Sequence, residues 1–167
     1  ISLGLVGSEM CIRDSFAQFN RNKRSVLLDL RSEPGKSALA QLLRGADVLV
    51  ENYRPGVLAR MGFGAERLSS LNPRLIVASV NGYGSTGPYV DRPSFDFIAQ
   101  AMSGFMSVNG EPDGMPMRAA PPISDLIAGL YTAFGVACAL HERNAGSPAS
   151  PGGCLLYTSP SPRDPTK

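Results

Sequence analysis

Residues 48–80 read VLVENYRPGVLARMGFGAERLSSLNPRLIVASV, and this stretch decides the fold. VLVEN (48–52) is short, apolar and β-branched, which suits a buried strand rather than a helix. PGVLARMGFG follows as a short helix opened by Pro55 and closed by Gly62, because proline fits a first helical turn and glycine a helix end. AERLSSL adds another turn or two, and RLIVASV (74–80) is again a strand. Upstream, SVLLDL (25–30) reads as a further strand. EPGKSALAQLLRGAD (33–47) reads as a helix with apolar positions 38, 39, 42 and 43, Pro34 near its start and Gly45 at its stop. Strands separated by helices at this spacing require right-handed crossovers. The expected fold class is therefore α/β, a partial Rossmann-like parallel sheet with flanking helices, buried on both faces.

Beyond the last strand lies NGYGSTGPYVDRPS (81–94), a Gly/Pro-rich loop in the place where α/β proteins put ligands. It lacks the glycine spacing of a dinucleotide fingerprint, so on its own it is a flexible loop. Helices are expected over Phe95 to about Ser107 and over Ser124 to about Arg143. In the second, Ile123, Leu126, Ile127, Leu130, Tyr131, Phe134 and Cys138 recur at three- and four-residue steps as one apolar stripe that looks bound for a core. Asp125 lies off that stripe, beside Ala128, Gly129, Thr132, Ala133 and Val136, whose small size admits a backbone or a ligand. Spacing leaves two readings of Asp125 open. Ser124 or Asp125 is an ordinary helix cap, and a carboxylate at a helix start is also a usable nucleophile.

The two ends read differently from the interior. CLLYTSPSPRD (154–164) and LVGSEMCIRD (5–14) are encoded by one DNA element and its reverse complement, which resembles the transposase end and adapter of sequencing libraries. Residues 1–15 and 154–167 are therefore expected to be adapter read-through, and 16–153 a fragment of a larger domain. Setting the ends aside removes Arg13, Arg163 and Lys167 against Glu9, Asp14 and Asp164, so the net charge of +2 is unchanged. Near-neutrality gives no case for a nucleic-acid or membrane partner. The short NRNKR cluster (20–24) has no interleaved aromatics, and the apolar run 126–140 is shorter than the roughly 20 residues a bilayer requires. Cys138 alone remains of the cysteines, so a reducing, cytoplasmic compartment is expected and a disulfide framework is not. His141 sits where a helix dipole favours a cation.

Four blocks in order, NRNKRSVLLDL, ADVLVENYRPGVLARMGFG, NPRLIVASVNGYGSTGPYVDRPSFDFIAQAMSG and PPISDLIAGLYTAFGVACAL, resemble the family III CoA-transferases, the CaiB/BaiF group. That group includes formyl-CoA and carnitine CoA-transferases and the α-methylacyl-CoA racemases. The resemblance implies Asp125 as catalytic nucleophile, forming an aspartyl anhydride and then an aspartyl-CoA thioester. It implies CoA contacts at Leu28, Arg31, Asn52, Tyr53, Arg54 and Arg60, and substrate-facing positions at Phe95 and Asp96. On residue type alone, solvated surface cations are the favoured reading of Arg31 and Arg60, and ENYRPG reads as a turn into a helix. The resemblance further implies acyl-CoA and a small carboxylic acid as substrates, no metal, and an interlocked homodimer for the full-length enzyme. The alternatives are an acyl-CoA racemase or an inactive truncated fragment. Racemases of this group carry a histidine where Phe95 stands, and Phe95 has no exchangeable proton.

Overall fold

The computed structural model describes residues 16–17 and 19–146 and the backbone of 155–158. In chain order the elements are α1 (Glu33–Arg44), β1 (Val48–Glu51), α2 (Val57–Arg60), α3 (Ala65–Leu71), β2 (Ile76–Val80), α4 (Asp96–Met102), a 3-10 turn (Phe105–Val108), α5 (Ile123–Asn144) and β3 (Leu155–Thr158). The sheet order is β1-β2-β3 and every pairing is parallel, with Val48 opposite Ile76 and Val77 opposite Leu155.

Local chemistry explains most of these boundaries. The α1 helix starts where the Ser32 hydroxyl accepts from the Gly35 N–H and Pro34 enters the first turn, and it stops at Gly45. One face of the sheet packs on α1 to α3 through Ala40, Leu43, Phe63, Leu68, Leu75 and Val77. Alternation along β2 then turns Ile76 and Ala78 to the other face, where α5 lies, and both are fully buried. The central strand is thus covered on both sides, as the strand-helix spacing requires. At its far end α5 is tied down by Arg143, which donates to Asp47 Oδ1 at 2.7 Å and to the Arg74 carbonyl at 3.0 Å.

Three expectations are corrected. SVLLDL is not a strand: residues 25–30 pair with no neighbour and Leu27 is 97% exposed. A strand needs a ladder partner, and, among the described residues, 25–30 do not pair with the open edge of β1. The helix expected over 95–107 ends at Met102, because Gly104 adopts a left-handed φ of 79° that restarts the chain as a 3-10 turn. The large apolar stripe of α5 does not enter the core. Leu130 is 70% and Phe134 67% exposed, and the buried face is the small one, Ala128, Thr132 and Ala139. Small side chains let the helix approach the sheet closely, so the close approach inferred for that face is made by backbone. Residues 155–158 lie as a third parallel strand along the other edge of β2, as the strand-forming run LLYT allows.

Candidate active site

The ends of β1 and β2 carry the site. After β1 the chain continues through Asn52, Tyr53 and Arg54, and the Asn52 amide donates to the Val80 carbonyl at 2.6 Å, joining the two strand ends. After β2, the chain turns through Asn81 and Gly82. A β-carbon on Gly82 would stand 2.0 Å from Cβ of Ser94, so only glycine lets the two ends of the 81–94 loop meet. Between these segments opens a cleft of about 260 Å³, walled by Asn52, Tyr53, Arg54, Asn81, Arg92 and Phe95 among others. Arg92 lies over the Tyr89 ring at 4.3 Å, and Tyr83 meets Tyr89 edge-on. The cleft therefore has a cationic and aromatic rim. Asn81 Oδ1 is buried in its wall with no hydrogen-bond donor among the described residues, which leaves an acceptor available to a ligand.

Phe95 leads from this cleft to the carboxylates. Its ring is 61% exposed and stacked on that of Phe97, while the next residue, Asp96, is buried at the start of α4. Both oxygens of Asp96 are engaged: Oδ1 accepts from the Ser124 N–H at 2.8 Å and Oδ2 from Gln100 Nε2 at 2.7 Å. Asp96 thus caps the first turn of α5 from 28 residues away.

Asp125 occupies the third position of α5, after Pro122 as N-cap and Ile123 and Ser124. A carboxylate there ordinarily reaches back to the N–H of the N-cap residue. Proline has no N–H, and Asp125 makes no capping bond. The first-turn reading of Asp125 holds and the capping reading, for it and for Ser124, does not. The side chain is exposed enough to meet a ligand, yet its pKa is raised above the ordinary value, first by desolvation and then by the Asp96 charge.

Of the residues named from sequence, Asn52, Tyr53, Arg54 and Phe95 share the first cleft, and Asp96 and Asp125 sit together behind Phe95. Arg60 lines a second cleft of about 410 Å³ with Lys36, Arg44 and Arg67, where Glu33 pairs with Lys36 at 2.8 Å. Arg60 Nη1 lies 3.2 Å from where a β-carbon on Gly56 would stand. Leu28 is half-buried and Arg31 exposed, and neither lines either cleft. Sequence reasoning missed Asn81, Arg92 and Gln100. The type and loop position of Arg92 were visible, but no sequence signal marks Gln100, which lies inside a helix pattern. No group of three or more His, Cys, Asp or Glu side chains able to hold a metal occurs among the described residues.

A parallel sheet whose strand ends open on a cationic cleft defines an α/β protein, a class in which ligands commonly sit at the carboxyl ends of the strands. The chain belongs to CoA-transferase family III, whose model matches residues 11–150. It is 44% identical over 128 residues to the succinate–glutarate CoA-transferase of Agrobacterium fabrum, covering 76% of this chain and 32% of that protein. It is 46% identical over 129 residues to the acetyl-CoA:oxalate CoA-transferase of Acetobacter aceti, covering 77% and 33%. Among solved structures it is similar to a CaiB/BaiF family protein from Brucella suis, with a TM-score of 0.76 and 37% identity over 82% of this chain and 35% of that one. The chain thus spans about a third of the length of the curated relatives it matches.

Proposed function

We propose that the full-length protein carrying this segment moves CoA from an acyl-CoA thioester to a small carboxylic acid, with Asp125 as nucleophile. The observation that carries this reading is the Asp125 carboxylate, which makes no capping bond in the first turn of α5 and feels the charge of Asp96, the residue next to Phe95 of the strand-end cleft. An Asp125 oxygen attacks the thioester carbonyl and expels CoA thiolate, leaving a mixed anhydride. The thiolate then attacks the aspartyl carbonyl, releasing the donor carboxylate and leaving an aspartyl-CoA thioester. The acceptor carboxylate attacks that thioester, expelling thiolate and forming a second anhydride. Thiolate attack on its acyl carbonyl yields the new acyl-CoA and frees Asp125. Each step exchanges one acyl bond for another, so no metal or redox partner is required, and one slow exchange is divided into easier ones.

Asn52, Tyr53 and Arg54 are suited to hold CoA at the cleft, with Arg60 supplying charge for its phosphates from the adjoining wall. Leu28 and Arg31 remain proposed CoA contacts, although they lie outside both clefts. Phe95 and Asp96 adjoin the acceptor position. The racemase alternative needs an acid or base at Phe95, whose ring can serve only as a wall. A cytoplasmic location is part of the proposal, in keeping with Cys138 as a free thiol. By length and composition alone, however, α5, at 22 residues and mean hydropathy 1.7 in its best window, is sufficient to cross a bilayer. In the full-length protein, Asp125→Ala is expected to abolish acyl exchange while CoA binding persists. Undiminished turnover in that variant would remove the nucleophile assignment.

A further inference from the structure

We propose that Gln100 is a positioning residue for this site, holding the Asp96 carboxylate in the orientation that sets the start of α5 and so the placement of Asp125. The inference rests on Asp125 being the nucleophile, as proposed above. Gln100 is 1% exposed, lies one turn beyond Asp96 on α4, and lines neither of the two clefts described above. Its amide has two partners: Nε2 donates to Asp96 Oδ2 at 2.7 Å and Oε1 accepts from the Ala119 N–H at 2.8 Å. Asp96 in turn accepts from Ser124 N–H, the residue directly before Asp125. One amide group therefore joins α4, the segment leading into α5, and the first turn of α5.

The physical need for this link follows from Pro122. A proline N-cap offers no side-chain acceptor to the free N–H groups of the first turn, and the acceptor comes from Asp96 instead. Asp96 serves only in the rotamer that points Oδ1 at Ser124, and a carboxylate with one free oxygen rotates toward whatever donor it finds. Gln100 fixes the second oxygen and thereby the first. Burial of both groups raises the cost of any other arrangement.

The test compares two variants in the full-length protein carrying this segment, each read by steady-state kinetics and by amide exchange at Ala119 and Ser124. Gln100→Met keeps similar volume and removes both bonds. Gln100→Glu keeps the acceptor for Ala119 and places a carboxyl where the donor to Asp96 stood, which restores the bond only while it is protonated. Gln100→Met is expected to lose about 10- to 100-fold in kcat, the scale of a reacting group displaced by about 1 Å, with KM for acyl-CoA nearly unchanged, and Gln100→Glu to do so only at pH high enough to ionise the new carboxyl. Exchange at Ser124 is expected to quicken under the same conditions, and at Ala119 in Gln100→Met alone. A wild-type kcat in Gln100→Met would overturn the proposal. So would a fall in kcat matched by a rise in KM, which marks general loosening. The Asp125→Ala variant separates the two levels: if it is inactive and the Gln100 variants are not impaired, only the positioning role fails. If Asp125→Ala retains turnover, the nucleophile assignment fails and the positioning role falls with it.

Discussion

At the scale of single residues, Asp125 is set apart by what surrounds it rather than by its type. A first-turn carboxylate is ordinarily consumed by capping, but after Pro122 there is no N–H to take. The position and first-turn placement of Asp125 were legible in the sequence. The Asp96 bond to Ser124 was not, because it joins residues 28 apart and no local pattern encodes it. The raised pKa has two consequences. As the proposed nucleophile Asp125 has to be ionised, so activity is expected to fall as pH drops through a value above that of an ordinary aspartate, and a pH–rate profile checks this. Asp96→Asn removes the like charge and is expected to shift that limb to lower pH. For stability the sign is opposite to that of a salt-bridged carboxylate. A folded pKa above the unfolded one means ionisation is penalised in the folded state, fully so above the folded pKa. Asp125→Asn is accordingly expected to raise the melting temperature at neutral pH, with the gain vanishing as pH falls below the unfolded value.

At the scale of elements, the helices and strands that were legible are those whose ends carry their own signals. Ser32, Pro34 and Gly45 bracket α1, and β1 and β2 are apolar runs that pair with each other. Residues 25–30 carry an equally good strand pattern and form none, since pairing depends on a neighbour that a local pattern does not report. The α5 helix shows the same limit in another form: periodicity found its apolar stripe, but the sheet selected the small face for close approach. Two substitutions test these elements. Gly82→Ala drives a β-carbon into Ser94 and is expected to cost about 1–3 kcal/mol through overpacking, with weaker CoA binding in a titration. Arg143→Ala removes the link between the end of α5 and the sheet and is expected to cost about 1–3 kcal/mol in urea unfolding, toward the lower end because Asp47 is largely exposed.

At the scale of the whole molecule, the chain holds a candidate nucleophile and one wall of a cleft, within about a third of the length of its relatives. Leu126, Ile127, Leu130, Tyr131 and Phe134 form a contiguous exposed apolar face on α5, of the kind that marks an association surface. The isolated 16–153 segment is therefore expected to self-associate on size-exclusion chromatography and to exchange its β1 and β2 amides quickly. A compact monomer with protected strands would contradict that expectation. The central claim, that Asp125 carries the acyl group and then CoA, is tested most directly by trapping. The full-length protein carrying this segment is mixed with an acyl-CoA donor, quenched with hydroxylamine and digested for peptide mass spectrometry. A hydroxamate on the peptide containing Asp125, absent in Asp125→Ala, is the predicted result. Turnover with no modification there, or with a hydroxamate on a different carboxylate, would contradict the account.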